Sequence, residues 1–239
     1  MGVALLRQGR TFASIRELRR ALELADTPGT HLVLAETYMF LSQRQFFQEE
    51  IAATLARAPE QPGAHYLSGL YHYLMENNWG KAVEDFRQEL VHNPGHFQAV
   101  CYLGLCLKAL GETDRAERTF LDAVKVVERD KLQSDLPFQL LASLYLEGSH
   151  AADALPFARR AVELAPKSPR DLLLLGKAAW GTGDQATAVS ALEAAAEFDP
   201  TLADAHYLLS RIYVVRGEVA KAHQQVNLFK RCKELYNDK

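Results

Sequence analysis

Three cysteines in 239 residues are too few, and too awkwardly placed, for a disulfide framework. Cys101 and Cys106 stand at i, i+5, so on one helix they point to different faces, and all three are expected as buried or half-buried thiols. The chain also lacks any run of about 18 apolar residues, which excludes a membrane-spanning helix and membrane insertion. No secretory leader is visible at the N-terminus. Neither sign of charge prevails: 27 Lys and Arg stand against 30 Asp and Glu, net −3, with the signs interspersed. Without a basic stripe, nucleic acid is excluded as the main partner.

Chemical motifs are missing as well. There is no Cys-x-x-Cys, no His-Glu-x-x-His, no Gly-x-Ser-x-Gly and no phosphate-binding Gly-Lys-Ser/Thr loop. Carboxylate pairs such as Glu49–Glu50 and Glu84–Asp85 fall on outward helical positions and solvate the surface. Nothing assembles a base, a nucleophile and an orienting group. The sequence therefore reads as non-catalytic, with no cofactor and no metal.

What the chain has is a period. Ala82, Ala116, Ala154, Ala188 and Ala222 are separated by 34, 38, 34 and 34 residues, each in the second half of a segment that repeats its apolar pattern. A period of this length marks an array of helical pairs, each too small to bury its apolar face alone. In the clearest unit, 169–202, Leu172, Leu175, Gly176 and Ala179 share one helical face. Gly183 breaks the helix, Asp184 is placed to cap the next, and Ala188, Leu192 and Ala195 form the second face before Pro200. Small residues at Gly176, Ala188 and Ala195 let two antiparallel helices approach closely.

These offsets resemble the tetratricopeptide repeat, whose signature is a bulky residue, Leu-Gly, an aromatic, Ala, an aromatic, Ala and Pro. Units 97–130, 135–168 and 203–236 keep most of them, for example Leu103, Gly104, Ala116 and Phe120, or Leu209, Tyr213 and Ala222. Two units are looser. Unit 62–96 keeps Gly69, Ala82, Phe86 and Pro94 but has one extra residue at Asn77–Asn78. Unit 28–61 keeps Leu34, Ala35, Tyr38 and Ile51 but has Phe47 in place of the small alanine, which should push its helices apart or shift their register. Four further residues, 131–134, are about one helical turn, so the preceding helix is expected to lengthen, with Ser134 or Asp135 as the next N-cap.

The resemblance implies one domain over 1–239: an all-α, right-handed solenoid of antiparallel helix pairs, six full repeats plus a truncated one at 1–27. There Gly9 marks the turn, and Ile15, Leu18, Ala21 and Leu22 form the stripe of a second helix, while Met1 falls inside a first helix. The expectation is that the native protein continues upstream and that the exposed stripe invites a homo-oligomer through this end. The final helix is polar on its outer face, so the natural C-terminus is expected near Lys239. His31, His65 and His206 share the slot where the family carries a bulky aromatic, and are expected to pack between helices. Alanine- and arginine-rich usage suits a bacterial source.

In this family the first helices line a concave groove. Carried onto this chain, three positions of each first helix give Leu32, Glu36 and Met39; Tyr66, Leu70 and Tyr73; Cys101, Leu105 and Lys108; Gln139, Ser143 and Leu146; Leu173, Lys177 and Trp180; and Tyr207, Arg211 and Val214. The expected partner-binding residues are Leu32, Glu36, Tyr66, Leu70, Tyr73, Leu105, Lys108, Lys177, Trp180, Tyr207 and Arg211. The N-terminal half is apolar and aromatic; basic residues enter later. Leu32, Glu36, Tyr66 and Leu70 stand where carboxylate-gripping members carry Lys and Asn, which argues against a chaperone tail as ligand. The expected function is a scaffold for a protein or peptide ligand, an amphipathic helix or an extended segment. The alternatives are an accessory module of a longer enzyme and a self-assembly module.

Overall fold

A computed structural model describes Ala4 and residues 8–237, with side chains as far as Glu234. Among them are thirteen α-helices and no strand. In chain order these are α1 (Thr11–Leu24), α2 (Pro28–Phe40), α3 (Arg44–Arg57), α4 (Ala64–Leu74), α5 (Trp79–His92), α6 (Phe97–Ala109) and α7 (Thr113–Arg129), followed by α8 (Leu136–Glu147), α9 (Ala151–Leu164), α10 (Pro169–Gly181), α11 (Gln185–Phe198), α12 (Ala203–Val215) and α13 (Val219–Asn237). Each sequence unit from residue 28 onward thus holds two helices. The first-helix reading around Met1 lies outside the described residues, while α1 carries the stripe read from Ile15 and Leu18, with Leu18 buried.

The helix pairs are hairpins. In one of them His65 meets His92, Gly69 meets Phe86 and His72 meets Asp85, so one chain ascends as the other descends. The approach is close: a Cβ built on Gly176 would lie 2.5 Å from Cγ of Leu192, and one on Gly69 would lie 2.7 Å from the Phe86 ring. Only glycine fits at either place without displacing its neighbour. The periodic alanines, Ala82 to Ala222, are all buried to within 1%.

The reversals share one device. Gly183 has φ +84°, and the Asp184 amide donates to the Ala179 carbonyl at 2.9 Å, a bond that spans five residues and closes the helix end. The same five-residue bond recurs at Gln43, Glu112, His150 and Glu218. At the looser turn Asn77 takes the left-handed conformation (φ +49°), and the Asn78 amide reaches the His72 carbonyl, six residues back. That is where the extra residue is absorbed.

Caps follow the sequence at Asp184, whose carboxylate accepts the Thr187 amide at 3.1 Å. They depart from it at Asp135, which precedes α8 without a side-chain capping bond. Its carboxyl is turned toward Asp171 instead. α7 is long, at 17 residues, but it ends at Arg129, and the inserted residues 131–134 lie in the connection beyond it, where Lys131 makes a left-handed turn (φ +53°). Phe47 is buried, and its ring stacks on Tyr71 of the next hairpin at 4.3 Å, so its bulk is accommodated between hairpins.

The chain forms two compact units, 1–119 and 120–239, divided within α7. The first has a core of Leu18, Leu34, Tyr38, Phe47, Ile51 and Tyr71. The second is built around Leu172, Ala179, Leu192, Ala195, Leu209, Ile212 and Tyr213.

Candidate interaction surfaces

In the first unit, α2, α4 and α6 present the residues read from the sequence at i, i+4, i+7 spacing. Glu36 is exposed; Leu32, Met39, Tyr66, Leu70, Tyr73, Leu105 and Lys108 are half-buried. Cys101, expected among them, is fully buried and belongs to the packing between helices. Its thiol and that of Cys106 are pushed up to about 12 by burial. Tyr66 and Tyr73 both lean on Tyr102, at 6.1 and 5.6 Å between ring centres, and Phe86 stacks on the same ring at 5.8 Å. Burial raises both phenols above their usual range. The two tyrosines therefore offer one edge each and spend the rest of their surface holding α4 to α6.

Glu36 and Met39 line a cavity of about 500 Å³ together with Gly9, Thr11, Thr37, Phe40 and Met75. Phe40 is 77% exposed and Met75 46%, and Leu74 and Leu110 are exposed as well. These residues end three successive first helices, α2, α4 and α6. The sequence reading missed them; the signal was a large apolar residue recurring at 40, 74–75 and 110, where helix ends are usually polar.

Two buried polar devices also escaped the sequence. Glu89 occupies the position of a repeat alanine, yet is 2% exposed. It accepts the Gly63 amide at 3.0 Å, the Tyr66 amide at 3.3 Å and His96 Nδ1 at 2.9 Å, satisfying the open N-terminus of α4 from a different helix. Burial works to raise its pKa, but the bonds from His96, Gly63 and Tyr66 outweigh it and the net direction is down. The slot shared by His31, His65 and His206 is likewise more than packing. His31 bridges Glu50 and Asp26 at 2.5 and 2.7 Å, and His206 bridges Gln225 and the Pro200 carbonyl at 2.7 and 3.0 Å. His65 lies parallel to His92 with its Nδ1 unpartnered.

In the second unit Gln139 and Leu173, expected on an open face, are buried. Gln139 instead donates to Asp171 Oδ1 at 2.6 Å, while Asp171 Oδ2 is buried without a partner. Burial raises the Asp171 pKa to about 6; Gln139 opposes that shift and the facing Asp135 reinforces it. Lys177 donates to Asp204 Oδ2 at 2.8 Å, which ties α10 to α12. Trp180 packs half-buried on the core of this unit. Tyr207 and Arg211 are exposed, with the guanidinium 5.9 Å from the Tyr207 ring centre. Ser143 and Leu146 are half-buried and Val214 is 65% exposed. Among the described residues, no three His, Cys, Asp or Glu converge as a metal site requires, and no helix is long and apolar enough to cross a membrane.

An all-α chain of short helix hairpins repeating every 34 residues defines an array of helical repeats. The tetratricopeptide repeat profile matches residues 72–131 and 173–229, and the chain is a tetratricopeptide-repeat protein. Among solved structures it is similar to PilW, a type IV pilus biogenesis factor, at 19% identity over 87% of this chain and 94% of that one (TM-score 0.73). It is similar to pilF of Pseudomonas aeruginosa at 16% identity over 89% and 97% (TM-score 0.74). YrrB, described as a tetratricopeptide-repeat protein with an unusual peptide-binding site, shares 19% identity over 77% and 92% (TM-score 0.63). At these identities the likeness is one of fold. No curated protein matches the sequence.

Proposed function

We propose that this chain is a non-catalytic scaffold that holds a peptide or helix of another protein, and that the first unit carries the principal contact surface. The observation that supports this most is that Phe40, Leu74, Met75 and Leu110 stay exposed at the ends of α2, α4 and α6, and that Phe40 and Met75 line a cavity whose one ionisable lining residue among those described is the exposed Glu36. A protein that keeps such large apolar residues exposed at successive helix ends has a use for them. The cavity suits an apolar side chain, Glu36 a neighbouring Lys or Arg, and the Leu70 and Tyr73 edges extend the contact along α4. YrrB, similar in fold, is described as binding peptides, which lends the reading analogy.

The test is affinity capture from source-cell lysate with the wild type and with Leu70→Ala/Tyr73→Ala, both verified as helical by circular dichroism. A protein retained by the first and lost by the second is the expected result. Equal retention by both overturns the reading.

A further inference from the structure

In units 62–96, 97–130 and 203–236 the third residue is an alanine, and Ala64, Ala99 and Ala205 are all fully buried. In unit 169–202 the same position holds Asp171, which also has no exposed surface. A methyl group satisfies the packing there, so the carboxyl is a departure that shape does not require. Three groups face it. Gln139 donates to Oδ1 at 2.6 Å, and Ser168 accepts the Asp171 amide at 3.3 Å; both favour the charged form. Asp135, just before α8, turns its own carboxyl toward Asp171 and opposes that charge. Oδ2 is left buried with no partner. The cations of the surrounding elements are committed elsewhere: Arg129 of α7 to Asp130, Arg159 and Arg160 of α9 to Asp184 and Glu163, and Lys177 of α10 to Asp204 of α12. Arg170 of α10 and Glu197 of α11 are exposed. Among the described residues no Lys, Arg or His pairs with either aspartate.

We propose that Asp135 and Asp171 share one proton, and that the pair is a pH-operated latch between the connection leading into α8 and the start of α10, closed in acid and released as pH rises. An ionised carboxylate only accepts hydrogen bonds, so two of them face each other without a bond. One proton between them replaces repulsion with an O–H···O bond and gives Oδ2 the partner it lacks. When that proton leaves, Oδ2 is orphaned again and two negative charges meet where no cation answers them. The element beside the latch is the first turn of α8. Pro137, Phe138 and Gln139 are buried there, and the Gln139 amide donates to the Asp135 carbonyl at 2.9 Å, so release loosens this turn first. The latch lies within the second unit and shares no residue with the contact surface proposed in the first; either stands without the other.

The test is an NMR titration of the full chain through its aspartate 13Cγ signals, assigned by substitution. In the wild type the Asp171 signal should titrate at about 6. Asp135→Asn should lower that midpoint by about 1 pH unit or more, because the facing charge is gone and an amide donor has taken its place. A buried carboxyl acting alone would keep its midpoint, and an unchanged midpoint overturns the shared proton. The latch itself is read by amide hydrogen exchange at residues 139–141, corrected for the intrinsic rate at each pH. Protection in the wild type should fall at least about tenfold between pH 4.5 and 7, and Asp171→Asn should make it flat. Asp171→Ala, the residue that three other units carry, should be flat as well and serves where the asparagine variant folds poorly. Equal protection at both pH values in the wild type, or the same fall in the Asp171 variants, overturns the latch.

Discussion

The hairpin of α4 and α5 and the hairpin of α10 and α11 reach the same shape by different chemistry. In the second, glycine, alanine and leucine make the close approach: Gly176 admits Leu192, and Ala188 and Ala195 disappear into the interface. In the first, Gly69 admits an aromatic ring, and the place of the last alanine is held by a buried carboxylate, Glu89. A charge there is tolerated because backbone amides and His96 answer it. The repeat thus prescribes a shape at each position more strictly than a residue type. A departure survives where a neighbouring helix end supplies what the new side chain needs.

The largest effect should come from emptying the aromatic hairpin. Phe86→Ala is expected to destabilise by about 3–5 kcal/mol in urea unfolding. Gly69→Ala, which clashes with that ring in the wild type, should become harmless in the Phe86→Ala background, a strongly non-additive pair. If the two effects simply add, the close approach at Gly69 is not what holds the hairpin together.

Glu89→Ala restores the repeat's usual residue, yet should destabilise by about 2–3 kcal/mol by abandoning two amides and His96. The reverse change, Ala195→Glu, should be worse, because no donors wait for it. Since the folded pKa of Glu89 is depressed, its contribution is present above its ordinary value of 4.5 and fades as pH falls through the lowered one. A Glu89→Ala chain as stable as the wild type would remove the contrast between the hairpins.

Asp171 titrates the opposite way. Its pKa is raised from 3.8 to about 6, so its contribution to stability is largest in acid and declines as pH rises through that interval. Asp171→Asn keeps a partner for Gln139 and removes the penalty, and should stabilise the chain by about 1–3 kcal/mol at pH 7.5. At pH 3.5 the gain should vanish. An equal gain at both pH values would show that the carboxyl is not strained.

The smallest effect is reserved for Lys177→Ala. Its partner Asp204 is half open to solvent, and such a bridge is worth at most about 1 kcal/mol. The change should fade further in high salt.

The period, the hairpin boundaries and the cap at Asp184 were legible because they rest on one-residue rules: small residues at close approaches, a left-handed residue at the turn, an oxygen before a helix. The apolar helix ends were not read, because no single residue announces that Phe40, Met75 and Leu110 stay exposed where their helices end. Glu89 was passed over because a charged residue on a helix is ordinarily solvent-facing, and only the three-dimensional meeting with the start of α4 says otherwise. Cys101, Gln139 and Leu173 were placed on an open face by offset counting, which gives a helical face but not whether another helix already covers it. Asp135 had the right residue for a cap, but its side chain turned to Asp171.

The three thiols acquire an unplanned use. Cys101 and Cys106 are sealed in the first unit and Cys232 is 4% exposed in the second. A thiol reagent can therefore reach either unit only when its helices part. The time course of labelling is then a clock for breathing, read separately at each end of the same molecule and with no engineered probe. Near neutral pH, where the native Cys101 and Cys106 thiols stay protonated, any labelling there records opening events rather than slow reaction in place.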